Sequence, residues 1–74
     1  MPNMTSKNLR KVIGRNIRER RHQHGWKVAD LAGEAGLVRG YWYQIELGLP
    51  NVTIDALSEI ARTLKVSVRD LLAN

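Results

Sequence analysis

Residues 28–47 read V-A-D-L-A-G-E-A-G-L-V-R-G-Y-W-Y-Q-I-E-L, and the spacing of their apolar residues decides the fold. Val28, Leu31, Ala32 and Ala35 recur three and four apart, which places them on one side of a helix spanning about Lys27 to Ala35. Gly36 ends that helix, because glycine enters the left-handed conformation of a tight turn without a Cβ penalty. A second short helix follows from about Arg39 to Leu47, with Trp42 and Ile45 turned inward and Gly48 as its stop. Helices so short and so closely joined must cross steeply. The crossing needs a small residue where they approach, and Ala32 supplies it. It also needs apolar inner faces, which Leu31, Ala35, Leu37, Trp42 and Ile45 provide.

The same periodicity extends in both directions. Leu9, Val12, Ile13 and Ile17 predict a helix from about Lys7 to His24, with Ser6 as N-cap and Gly25 as stop. Lys7, Lys11, Arg15, Arg18 and His22 fall on its opposite arc. Arg20 projects towards the apolar stripe, where its stem must snorkel outward. Beyond residue 47, Leu49-Pro50-Asn51-Val52 reads as a loop, since proline cannot donate into a helix. Thr53 caps a fourth helix with the stripe Ile54, Leu57, Ile60, Ala61 and Leu64. Ser67 and Asp70 have capping-box spacing and open a last turn or two holding Val68, Leu71 and Leu72. No alternating run is long enough for a strand. The expectation is an all-α, compact five-helix bundle, with residues 1–6 a flexible segment and 7–74 a single domain. A chain of 74 residues, 43% hydrophobic and 26% charged, has the size and composition of one small globular domain.

Charge is unevenly placed. Residues 1–29 carry Lys7, Arg10, Lys11, Arg15, Arg18, Arg20, Arg21 and Lys27 against Glu19 alone, a balance of +7, whereas residues 30–74 carry −2. A one-sided basic field favours polyanions, nucleic acid before an anionic membrane surface. The absence of cysteine excludes disulfides, thiolate metal sites and cysteine nucleophiles. His22 and His24 stand two apart on a helix and face different ways, so no metal site is expected. No Ser/His/Asp set, phosphate-binding glycine loop or facing carboxylate pair points to catalysis, and no cofactor is expected. Trp26 reads as core. No apolar run approaches the roughly 20 residues of a membrane span, and a cytoplasmic location is expected.

The 28–47 pattern is that of a helix-turn-helix, whose second helix enters the DNA major groove. With I-R-E-R-R at 17–21, L-A-G-E-A-G-L at 31–37, Y-W-Y-Q-I-E-L-G at 41–48 and the run from Asn51 to Leu72, the chain resembles the Cro/phage-repressor type of helix-turn-helix domain over about residues 17–72. The resemblance implies a lambda-repressor-like fold whose third helix reads bases. Arg39, Gly40 and Gln44 match the base-reading positions, and Tyr43 shares their face. Arginine pairs bidentately with guanine, and glutamine with adenine. Lys27, Val28, Tyr41 and Asn51 match backbone-contacting positions. The family usually has Ser or Thr followed by Gln at 27 and 28, so Val28 lacks the usual phosphate-bonding side chain. Val38 likewise replaces a Ser or Thr cap. Arg21 and Glu46 match an ion pair that orients the reading helix.

The resemblance thus implies a sequence-specific, double-stranded DNA-binding transcriptional regulator without an effector domain. It would act as a homodimer on a two-fold symmetric operator; Val66, Val68, Leu71 and Leu72 are more apolar than one terminal helix needs, so the expected dimer surface lies there. The alternative is an antitoxin-type module that binds a protein partner and autoregulates its operon. Membrane binding through the first helix is a weaker rival, because that helix's apolar stripe is needed for the core.

Overall fold

The computed structural model describes residues 5–74, which form α1 (Ser6–His24), α2 (Val28–Ala35), α3 (Arg39–Glu46), α4 (Ile54–Leu64) and α5 (Val68–Leu72). The expected five helices are present, and no strand occurs among the described residues. Residues 1–4 of the segment expected to be flexible lie outside them. Ser6 belongs to α1 instead and Thr5 caps it: the hydroxyl of Thr5 accepts the Asn8 amide at 3.1 Å, so the N-cap is Thr5 and Ser6 is already helical. Gly25 and Gly36 close α1 and α2 in the left-handed region, as their turns require. Lys65 does the same for α4 at φ 60°, although no glycine marks that end. Thr53 caps α4, and Ser67 and Asp70 form a complete capping box on α5. Lys27 is the N-cap residue of α2, and Leu47 the C-cap residue of α3, rather than members of those helices.

Helix α1 packs on α3, α4 and α5, while α2 packs on α3 and α4. Between them lies a core of Ile13, Ile17, Leu31, Trp42, Ile45, Ile60 and Leu64, with small Val28, Ala32, Ala35 and Ala61 where the helices come close. Ile54 departs from its expected place and is 76% exposed. The buried face of α4 is Ala56, Leu57, Ile60, Ala61 and Leu64, and Ile54 at the first helical position stands off it.

Gly14 and Asn16 are among the residues that join α1 to the rest of the bundle without apolar side-chain packing. Gly14 lies against the end of α3 so closely that a methyl group there would sit 2.5 Å from the carbonyl oxygens of both Ile45 and Glu46. The Asn16 amide donates to the Leu71 carbonyl at 2.8 Å and to the Ala73 carbonyl at 2.7 Å, satisfying the otherwise open end of α5. Arg20 is half-buried on the α5 side, where its charge favours the ionised form of Asp70. Leu71 corrects the expected dimer surface: it is fully buried in the core, and Val66 and Val68 pack partly against that core. A five-residue helix has one inward face, and Leu71 fills it. Leu72 alone of the four is exposed, at 39%.

Candidate nucleic-acid interface

Helix α3 is held from behind and free in front. Trp42 and Ile45 anchor its inner face in the core. At its last turn, Glu46 receives three hydrogen bonds: from Arg21 Nε at 2.7 Å, from Arg21 Nη2 at 2.9 Å and from Trp42 Nε1 at 2.7 Å. The Glu46 side chain is 6% exposed and that of Arg21 16%, so the pair is mostly out of water. Hydrogen bonding to Glu46 raises the Arg21 pKa above its ordinary value against the opposing effect of burial. The fork-to-fork geometry fixes orientation as well as charge. The expected Arg21–Glu46 pair therefore exists, with Trp42 as a third member that the sequence did not reveal. The indole of Trp42 fills the core and delivers its N–H to the same carboxylate, one helical turn along.

The outward face carries Arg39, Gly40, Tyr43 and Gln44, all exposed. At 100° per residue these four lie on one arc of α3, and Leu47 continues it. Leu47, 67% exposed, was missed by the sequence reading; extending the 39/40/43/44 spacing by one further step would have found it. Tyr41 stands elsewhere, partly buried against the core, so its ring packs on the bundle.

Neither α2 nor α3 has a side-chain cap, whereas Thr5, Thr53 and Ser67 cap the other three helices. The first-turn amides of α2 thus have no side-chain acceptor and favour an external anion, although Asp30 in the same turn offsets part of that attraction. Lys27 is exposed beside them. Val28 is corrected as a side-chain contact: it is 2% exposed and part of the core, so only its main chain can face a phosphate. Asn51 is exposed, but its side-chain oxygen accepts from Arg10 Nη1 on α1, a tie the sequence reading missed. Its amide nitrogen has no partner among the described residues.

Residues 12–74 match the family model described as a helix-turn-helix domain. The chain belongs to the helix-turn-helix family. Among characterised relatives, the HTH-type transcriptional regulator SinR of Bacillus subtilis is 36% identical over 62 residues, 82% of this chain and 56% of SinR. The chain thus spans about half the length of that relative. Among solved structures, the restriction-modification controller protein C.AhdI from Aeromonas hydrophila superposes with a TM-score of 0.80 at 31% identity, covering 84% of this helix-turn-helix chain and 94% of C.AhdI. SinR in complex with DNA superposes at 0.76 with 35% identity, covering 82% and 98%. The five-helix, lambda-repressor-like arrangement and the Cro/phage-repressor resemblance are upheld by these matches. Among the described residues there is no group of three metal-ligating side chains. No described helix is long and apolar enough to cross a membrane.

Proposed function

We propose that this chain is a sequence-specific, double-stranded DNA-binding regulator of transcription that places α3 in the major groove. The observation that carries the reading is the division of α3 into two faces. One is locked by Trp42, Ile45 and the Glu46–Arg21–Trp42 cluster, and the other offers Arg39, Gly40, Tyr43 and Gln44. A reading helix must be rigid behind and polar in front, because base discrimination depends on bidentate geometry. The absence of a side chain at Gly40 lets the main chain approach the groove between Arg39 and Gln44. Lys27 and the α2 amides would hold the phosphate backbone on one side, with Asn51 as a further backbone contact. The relatives point the same way: SinR is named a transcriptional regulator and was solved with DNA, and C.AhdI is named a controller protein.

In this reading the protein acts in the cytoplasm as a homodimer on a two-fold symmetric operator. The second copy would cover Leu72 and the exposed edges of Val66 and Val68, with Leu71 supporting them from the core. Selection of bound duplexes from a random library is the deciding experiment. A symmetric site with half-sites about one helical turn apart is expected. On that site Arg39→Ala should cost about 1–3 kcal/mol and relax the preference at one position, while Lys27→Ala should weaken all sequences alike. Equal loss from both variants on selected and random DNA would overturn the assignment of α3. Strictly monomeric sedimentation at high micromolar concentration, with and without the selected duplex, would overturn the dimer.

A further inference from the structure

The charges of four cations on α1 meet no ion-pair or hydrogen-bond partner among the described residues. Lys7, Lys11, Arg15 and Arg18 are all exposed, and at 100° per residue they share an arc of about 80°. The two ion pairs among the described residues, Arg21–Glu46 and Arg62–Glu59, involve none of them. Like charges three and four residues apart destabilise a helix, so the arrangement works against α1 unless something outside the chain neutralises it. Glu19, the one acid on α1, makes no ion pair with them.

The position of this row is set by the contact between α1 and the end of α3. Gly14 and Arg21, which touch Ile45 and Glu46, lie on α1 immediately beside the cationic arc. Lys11 packs against Gly48, the left-handed residue that turns the chain out of α3; a methyl at Gly48 would meet the Lys11 main chain at 3.1 Å. An open groove is consequently lined by Lys11, Arg15, Arg18, Glu19 and His22 of α1 and by Glu46 and Leu47 at the end of α3, with the three cations outnumbering Glu19 on the α1 wall. The cations thus flank the C-terminal end of the reading helix, whereas Lys27 and the α2 amides belong to another helix.

We propose that Lys7, Lys11, Arg15 and Arg18 form a second, sequence-independent edge that holds the phosphates of duplex DNA flanking the segment read by α3. The proposal rests on the DNA-binding reading above. A duplex is the fitting polyanion because its backbone is a regular line of charge adjoining the groove that α3 would occupy. From Lys7 to Arg18 the helix rises about 16 Å, against about 3.4 Å of axial rise per phosphate on one strand. Lys7 and Lys11 precede residue 12, where the family match begins, so this edge extends beyond the part of the chain that the family describes.

The test uses the full chain and two duplexes, the selected site alone and the same site with about ten flanking base pairs on each side. Each phosphate contact contributes about 0.9 to the slope of log affinity against log salt. The variant Lys7→Gln/Lys11→Gln/Arg15→Gln/Arg18→Gln should therefore lose about 3.6 from the slope on the flanked duplex. Raising salt from about 50 to 200 mM would then weaken the wild type about 150-fold more than the variant. Lys7→Gln/Lys11→Gln alone should show about half that slope change, about a 12-fold difference, and serves if the fourfold variant does not fold. Preference for the selected over a scrambled site should be unchanged, and flanking sequence should help the wild type most, the double variant less and the fourfold variant not at all. Equal salt slopes, or loss of site preference in either variant, would overturn the edge and leave the α3 reading intact. Failure of the wild type to bind any duplex would overturn both. Retention of the wild type on phosphatidylserine vesicles in the presence of excess duplex would assign the row to a membrane surface and overturn it as a DNA contact.

Discussion

The close approach of Gly14 to the end of α3 makes a quantitative prediction from a single methyl group. Gly14→Ala places a Cβ 2.5 Å from the carbonyl oxygens of Ile45 and Glu46, and 2.9 Å from the Glu46 carbonyl carbon. Ordinary contact begins near 3.4 Å, so α1 and the end of α3 must separate by nearly 1 Å. The obstructing atoms are main chain, so no side chain can swing aside. Overpacking of this kind costs about 1–3 kcal/mol, and two simultaneous main-chain overlaps place it at the upper end. Against this, replacing a mid-helix glycine by alanine returns about 1 kcal/mol of helix propensity. The net expectation is a loss of about 2 kcal/mol, which for a domain of this size lowers the melting temperature by about 8–16 °C. Gly33→Ala is the internal control. Gly33 is also helical and exposed, with nothing within 4 Å of its added methyl, so the same substitution should raise the melting temperature by about 4–8 °C. Thermal and urea denaturation followed by circular dichroism would measure both. The reasoning fails if Gly14→Ala melts at or above the wild type, or if the two variants shift in the same direction. Because the overlap falls on α3, Gly14→Ala should also reduce site preference in DNA binding.

Three further predictions follow from single contacts. Glu46→Ala strands a mostly buried guanidinium and the Trp42 indole N–H together, and a loss of about 3 kcal/mol in urea unfolding is expected. A Glu46→Ala protein as stable as the wild type would contradict that. Val38 is the exposed N-cap of α3 and makes no cap bond, so Val38→Ser should gain about 1 kcal/mol; no gain in the same assay would mean the first turn of α3 is already satisfied. The Asp70 carboxyl is held below its ordinary pKa, first by the Ser67 amide and then by the Ser67 hydroxyl. Its stabilising contribution is accordingly present above the ordinary carboxylate value and is lost as pH falls through the depressed one. Asp70→Asn should remove that component from an acid titration of stability, and an unchanged acid limb would show that the capping box carries none of it.

Much of this molecule was legible locally. A helix end is decided by one or two residues, so Gly25, Gly36, Thr53 and the Ser67–Asp70 pair could be read directly, while the start of α1 slipped by one residue because Thr5 and Ser6 are both competent caps. The inward turn of Trp42 and Ile45 on α3 follows from helical period, whereas Arg39, Gly40 and Gln44 were placed by resemblance and Tyr43 by sharing their face. Arg21 and Glu46 came from resemblance, since nothing local joins residues 25 positions apart.

The helices, their order, the centre of each apolar stripe and the one-sided positive charge can be read from the chain alone, because period, caps and composition are properties of neighbouring residues. Which faces are spent inside the molecule depends on how the helices pack. That packing buried Leu71 and Val28, turned Ile54 outward, gave Trp42 an acceptor and set Gly14 against the end of α3. The physical reason is that helical period says which residues share a face, but the packed neighbours decide how far round the helix burial reaches. A residue at the edge of the apolar stripe goes to the core or to solvent by a shift of a few ångströms between helices.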